Sequence, residues 1–138
     1  MTEAKPPMSV SLTWDGNLEF TGRAGKYQVG LDGATHTAAS PMQYLALSLA
    51  GCMAIDVVHI LTRGRHTLTS LGATFTGERA ASEPKRFTTI GLHFTLATDA
   101  APAVVERAIQ LSREKYCSVW GSLRQDIEFA VTFEIQGA

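Results

Sequence analysis

The reactive chemistry available to this chain sits in its only two cysteines, Cys52 and Cys117. Cys52 lies inside a long apolar segment, and Cys117 follows a charged, helix-like one. A thiol is nucleophilic only as thiolate, and an unperturbed cysteine, with a pKa of about 8.5, needs a neighbouring cation or polarised N–H groups to ionise at neutral pH. Attack of a thiolate on a peroxide O–O bond leaves a sulfenic acid, which a second cysteine rescues as a disulfide. If the fold brings Cys52 and Cys117 together, that chemistry is in reach. If it does not, each is a small buried hydrophobe, the commoner fate of a free cysteine. Around Cys117, Lys115 and the backbone N–H groups of a helical turn starting at Ser118 would favour the thiolate.

Asp56 follows Cys52 by four residues and His59 follows Asp56 by three, so the three share one face of a helix. A Cys/Asp/His metal site or a Cys–His pair is conceivable there. However, Cys52 and His59 are about 10 Å apart along a straight helix, too far for contact. Asp56 therefore reads as a polar group bonded to another element or to a partner subunit. Two thiols do not supply the four ligands of a Cys-rich zinc site, so no metal is expected.

Several elements must position these residues. Residues 8–15 alternate Val10, Leu12 and Trp14 against Ser9, Ser11 and Thr13, the period of a half-buried strand, and Asp15-Gly16-Asn17 supplies a turn. Return strands over Leu18–Gly22 and Tyr27–Leu31 complete a meander. The period then changes: Ser40-Pro41 suits an N-cap followed by proline at the first helical position, and a helix runs to about Arg63. Its apolar residues cover nearly the whole circumference, so it must be buried all round. The other layers of one small subunit can hardly cover it, and a second subunit is implied. Leu68–Glu78 and Phe87–Thr98 read as two strands, the latter with Ile90, Leu92, Phe94 and Leu96 on one face. An amphipathic helix opened by Asp99-Ala-Ala-Pro102 and ending near Lys115, and a last strand over Ile127–Ile135, follow. The order βββ-α-ββ-α-β defines an α+β domain rather than a doubly wound one.

The bulk composition narrows the function classes. At 138 residues the chain reads as a single domain, 1–138, large enough for a core without staples. A formal charge of -1 gives no basic field for gathering phosphates, which argues against nucleic acid as partner. The opening MTEAKPP lacks the basic and apolar regions of a signal peptide, and a cytoplasmic location is expected. There a lone pair of cysteines forms a transient disulfide rather than a permanent one. The strongly apolar run Tyr44–Ile55 is interrupted by Asp56 and falls short of the ~20 residues of a membrane span. No membrane partner is expected.

The runs SPMQYLALSLAGCMAIDVVHIL (40–61), LSREKYCSV (111–119), WDGNLEFTG (14–22) and GERA (77–80) resemble the OsmC/Ohr family of peroxide-handling proteins, in particular its OsmC-like branch. The resemblance covers nearly the whole chain. It implies the OsmC-like fold, antiparallel sheets around a long buried central helix, assembled as an intertwined homodimer with each active site at the subunit interface. Cys52 falls on the family's peroxidatic position and Cys117 on the resolving one. In the Ohr members an arginine from the N-terminal strands activates the thiolate, held by a glutamate early in the central helix. Arg23 is the nearest counterpart of that arginine. Where relatives carry the acid, this chain has Met42 and Gln43, and Gln43 can hydrogen-bond an arginine without forming the charge-assisted pair. Another cation, such as Arg79 or Arg86, is an alternative activator.

The resemblance thus implies a thiol-dependent peroxidase of organic hydroperoxides, regenerated by an external dithiol and needing no metal, haem or flavin. A partly apolar pocket beside Cys52, lined by Met42, Tyr116 and Trp120, would favour alkyl or lipid hydroperoxides over hydrogen peroxide. The rival reading is a non-catalytic, dimeric small-molecule-binding protein that keeps the fold, favoured by Gln43 in place of an acid. A protein thiol-disulfide exchange factor is disfavoured by the absence of a C-x-x-C motif.

Overall fold

A computed structural model describes residues 5–136, which fall into two compact units, Met1–Leu45 and Ala46–Ala138. The N-terminal unit is a meander of β1 (Ser11–Gly16), β2 (Glu19–Ala24) and β3 (Tyr27–Asp32), in the order β1-β2-β3. Both pairings are antiparallel, with Trp14 opposite Phe20 and Phe20 opposite Leu31. The β1–β2 turn takes positive φ at Gly16 (116°) and Asn17 (48°), and the Trp14 indole N–H locks it by donating to the Asn17 carbonyl at 2.9 Å. Leu12, Trp14, Phe20, Val29 and Leu31 share one face by the period of two, yet Leu12, Trp14 and Val29 are exposed within this chain.

β3 ends in a loop organised by Asp32. Its buried carboxylate accepts the backbone N–H groups of Ala34, His36 and Thr37 at 2.9, 2.9 and 3.0 Å. The Ala34 and Thr37 N–H groups do most to hold the Asp32 carboxyl below its ordinary 3.8. A depressed folded-state value stabilises the fold above the unfolded pKa, and the contribution is lost as pH falls through the folded value. Asp32→Asn is expected to lower the urea midpoint at pH 7, and the gap from wild type should narrow below pH 3.8. Equal midpoints at pH 7 would show that the carboxylate does not organise this loop.

The long helix α1 (Pro41–Arg63) begins in the N-terminal unit and continues through the C-terminal one. A reciprocal capping box starts it: the Ser40 N–H donates to Gln43 Oε1 at 2.9 Å, and the Gln43 N–H donates to Ser40 Oγ at 3.2 Å. Beyond Leu45, three stripes run along it at 100° per residue. Leu49, Met53, Val57 and Leu61 are buried; Leu47, Ile55 and Val58 lie roughly opposite and are 63%, 60% and 40% exposed; Cys52, Asp56, His59 and Arg63 run between them. By length and mean hydropathy, 1.9 over its most apolar window, α1 would qualify as a membrane span, a test that the core helix of a soluble protein also passes. The apolar circumference expected from sequence is thus present, but a single chain buries only one stripe of it.

The rest of the C-terminal unit comprises β4 (Leu68–Arg79), β5 (Phe87–Thr98), α2 (Pro102–Leu111), a π-helical turn (Ser112–Tyr116), the short α3 (Ser118–Gly121) and β6 (Glu128–Gln136). β5 is the central strand of the sheet β4-β5-β6 and buries Ile90, Leu92, Phe94 and Leu96 on one face, as its alternation predicts. β4 and β5 form an antiparallel hairpin. β5 and β6, however, pair in parallel, because the helical segment between them returns the chain to the same end of the sheet. The second sheet is therefore mixed, where the sequence suggested antiparallel pairing throughout.

Candidate active site

Cys52 projects from the middle of α1, and Cys117 lies between the π-helical turn and α3. The π turn sets the second position: the Cys117 N–H reaches back five residues to the Ser112 carbonyl at 2.7 Å. One extra residue in the turn changes the direction of the chain just before the cysteine. The two sulfurs and an Asp56 carboxylate oxygen consequently all lie within 4.8 Å of one another. Both thiols are free.

Hydrogen bonds to sulfur differentiate the pair. Cys117 is buried, 5% exposed, and its Sγ accepts the Trp120 N–H at 3.4 Å. Burial is the main cause that pushes its thiol up to about 11, the Cys52 sulfur adding to the rise and the Trp120 N–H opposing it. Cys52 is half-buried, and its Sγ lies 3.9 Å from Ser118 Oγ. Burial is also the largest influence on Cys52 and opposes ionisation, but it is outweighed by the Val119 N–H, the Cys117 S–H and the Ser118 O–H, so its thiol falls below its ordinary value. The Asp56 charge works against this. Hydrogen-bond donors, not a cation, carry the lowering.

A pH profile tests this arrangement. Alkylation of Cys52 by iodoacetamide should follow a midpoint below that of an unperturbed thiol, and Cys117→Ala should raise that midpoint by removing a donor. Cys117→Ser, which keeps an O–H donor, should raise it less. A midpoint unchanged or lowered in Cys117→Ala would show that Cys117 does not support the thiolate.

Asp56 is oriented by the buried Ser112, whose hydroxyl donates to Oδ2 at 2.7 Å. This is the bond to another element expected for Asp56 from its place on an apolar helix. Beside it opens a cavity of about 410 Å³ lined by Asp56, His59, Ile60, Arg63, Leu111 and Tyr116. Tyr116, expected to line a pocket beside Cys52, is among them, and Cys52 is not. Trp120 is buried instead against Phe129, ring centroids 4.5 Å apart, with the Arg113 guanidinium 5.9 Å over its ring. Lys115 turns its ammonium over the Tyr116 ring, 5.3 Å from the centroid.

Of the remaining candidates, Arg23, Met42 and Gln43 lie in the N-terminal unit, and Arg79 and Arg86 in the C-terminal one. Arg23 is on β2, exposed, its guanidinium 3.5 Å from Thr13 Oγ1. Met42 and Gln43 are in the first turn of α1, where the capping box engages the Gln43 side-chain oxygen. Arg79 donates to the Lys85 carbonyl and Arg86 to the Phe87 carbonyl, at 2.7 and 3.0 Å. Sequence reasoning missed Ser112, the Ser118 hydroxyl as a sulfur partner, and the lining of the cavity by His59 and Arg63. Only the stripe Cys52, Asp56, His59, Arg63 hinted at the last.

The family model for OsmC-like proteins matches residues 33–132. This chain belongs to the OsmC-like family. It is 37% identical over 134 residues to protein YhfA of Escherichia coli K12, covering 95% of this chain and all of YhfA. Its fold is similar to that of a hypothetical protein from Aquifex aeolicus, with TM-score 0.90, 22% identity, and 97% and 99% of the two chains covered. It is also similar to that of an organic hydroperoxide resistance protein OsmC from Legionella pneumophila, with TM-score 0.72, 17% identity, and 96% and 99% covered.

Proposed function

We propose that this protein reduces organic hydroperoxides through Cys52 and Cys117 in defence against oxidants, as a cytoplasmic homodimer whose single OsmC-like domain spans residues 1–138. The observation that carries the reading is the convergence of the two sulfurs, one thiol lowered and the other raised. The Cys52 thiolate attacks the terminal peroxide oxygen, the O–O bond breaks, and the departing alkoxide takes a proton to leave as alcohol. Cys52 is then a neutral sulfenic acid. With the charge on Cys52 gone, one cause of the elevated Cys117 value is removed, and Cys117 ionises more readily. Its thiolate attacks the Cys52 sulfur, hydroxide departs as water, and a disulfide forms. An external dithiol restores both thiols by exchange.

Ile60, Leu111 and Tyr116 give the cavity an apolar side suited to an alkyl chain, while His59 and Arg63 give it polar ones. Met42 and Trp120 remain candidates for substrate contact, and Arg23 and Gln43 for activation of the thiolate. The exposed apolar residues of α1 and, separately, those of the first sheet support the homodimer, since exposed apolar surface of this kind marks an interface.

The test is one equivalent of cumene hydroperoxide added to reduced protein, read by intact mass. The expected product has lost two hydrogens, and it forms faster than with hydrogen peroxide. Equal rates with the two oxidants would remove the case for an alkyl pocket. No reaction would leave the second reading, a non-catalytic dimeric binding protein, which is favoured by the engagement of Gln43 in the capping box.

A further inference from the structure

We propose that the reduced protein binds a thiophilic divalent cation, zinc above all, between Cys52 Sγ, Cys117 Sγ and a carboxylate oxygen of Asp56. This goes beyond peroxide reduction and does not rest on it: a site that never met a peroxide would still hold the ion. Cys52 and Asp56 stand four residues apart on one face of α1, and Cys117 approaches from the end of the π turn. The three ligand atoms all lie within 4.8 Å of one another. In a tetrahedral zinc site, with Zn–S about 2.3 Å and Zn–O about 2.0–2.2 Å, such atoms sit roughly 3.5–3.8 Å apart. Closing the difference takes about an ångström of side-chain movement.

The donor set selects the ion. Two sulfurs and one carboxylate suit zinc and disfavour magnesium or calcium, which take all-oxygen shells. The cysteine count alone argued against a Cys-rich site; what the fold adds is a third ligand of a different type, not another thiol.

Each ligand also has the outer support that metal ligands require. Ser112 Oγ donates to Asp56 Oδ2 at 2.7 Å, which fixes the carboxylate and leaves Oδ1 free of that bond. The Trp120 N–H points at Cys117 Sγ, and the Val119 N–H and Ser118 hydroxyl at Cys52 Sγ, so both thiolates keep donors after metallation. Asp56 also forms part of the wall of the 410 Å³ cavity, so the carboxylate side of the site borders a space large enough for water. Binding displaces the thiol protons and occupies the sulfur lone pairs. The metal-bound and disulfide forms therefore exclude one another.

The experiment titrates full-length reduced protein with Co²⁺ under anaerobic conditions. Expected are a sulfur-to-cobalt charge-transfer band and the intense visible bands of a tetrahedral site, saturating at one ion per chain and abolished by one equivalent of Zn²⁺. Zn²⁺ should also shield both thiols from iodoacetamide, a readout that needs no variant. Cys52→Ser and Cys117→Ser should each lose about half the charge-transfer intensity, and Asp56→Asn should weaken Zn²⁺ binding at least about tenfold. Absence of the bands together with unshielded thiols overturns the site, as do bands that persist undiminished in Cys52→Ser. Unchanged Zn²⁺ affinity in Asp56→Asn overturns the carboxylate ligand. Peroxide reduction is read separately by intact mass, so either proposal can fail while the other stands.

Discussion

Cys52→Ser is expected to abolish consumption of cumene hydroperoxide, lowering the rate by on the order of 10³-fold or more, because a serine hydroxyl ionises far less readily than a thiol and is a poor nucleophile towards oxygen. Cys117→Ser should behave differently. Its first turnover stays within a few-fold of wild type, since serine preserves a donor towards the Cys52 sulfur, but no disulfide closes. Intact mass should then show Cys52 gaining one oxygen and, with further peroxide, two, as the unrescued sulfenic acid passes to sulfinic acid. The fold should tolerate both changes, because serine is close to cysteine in volume. If Cys52→Ser retained wild-type consumption, or if Cys117→Ser still lost two hydrogens on oxidation, the assigned roles would be wrong.

Ile55→Asp should convert the proposed homodimer to monomer. Ile55 is 60% exposed in the single chain, and its neighbours on that face of α1 are Leu47 and Val58. Burying the exposed part of this isoleucine at an interface contributes about 1–2 kcal/mol. A two-fold interface counts it twice. The loss of about 2–4 kcal/mol raises the dissociation constant roughly 10- to 10³-fold, before any penalty for an unpaired carboxylate. Sedimentation velocity at micromolar protein reads the change, and circular dichroism should stay native if the monomer holds its fold. A wild-type chain that sediments as a monomer, or Ile55→Asp that remains dimeric together with Leu47→Asp, would mean that this face has no second copy on it.

Much of the architecture was legible because hydrophobic period reports local structure directly. The alternation Ile90, Leu92, Phe94, Leu96 located the buried face of β5, and Ser40-Pro41 marked the start of α1. The pairing of β6 was not legible, since its alternating residues fit a parallel or an antiparallel neighbour equally well. Gln43 was read as a substitute for an arginine-holding acid, and the structure engages it with Ser40 in the capping box that S-x-x-Q also encodes. Trp120 packs on Phe129, a placement the sequence does not reveal. An aromatic near a cysteine carries no sign in the sequence of which side of the backbone it occupies.

By itself the sequence determined that two thiols are the chain's reactive groups, that a long apolar helix carries one of them beside an aspartate, and that the chain is similar to the OsmC/Ohr family. Only the tertiary structure decided that the sulfurs, 65 positions apart, stand within 4.8 Å of each other and of Asp56. It also decided which sulfur is the more acidic. Those properties depend on a π turn of five residues, the N–H groups of Val119 and Trp120, and the hydroxyls of Ser112 and Ser118. Backbone N–H groups are common to almost every residue, so their aim at a sulfur is set by where the chain turns in space and leaves no mark on residue type.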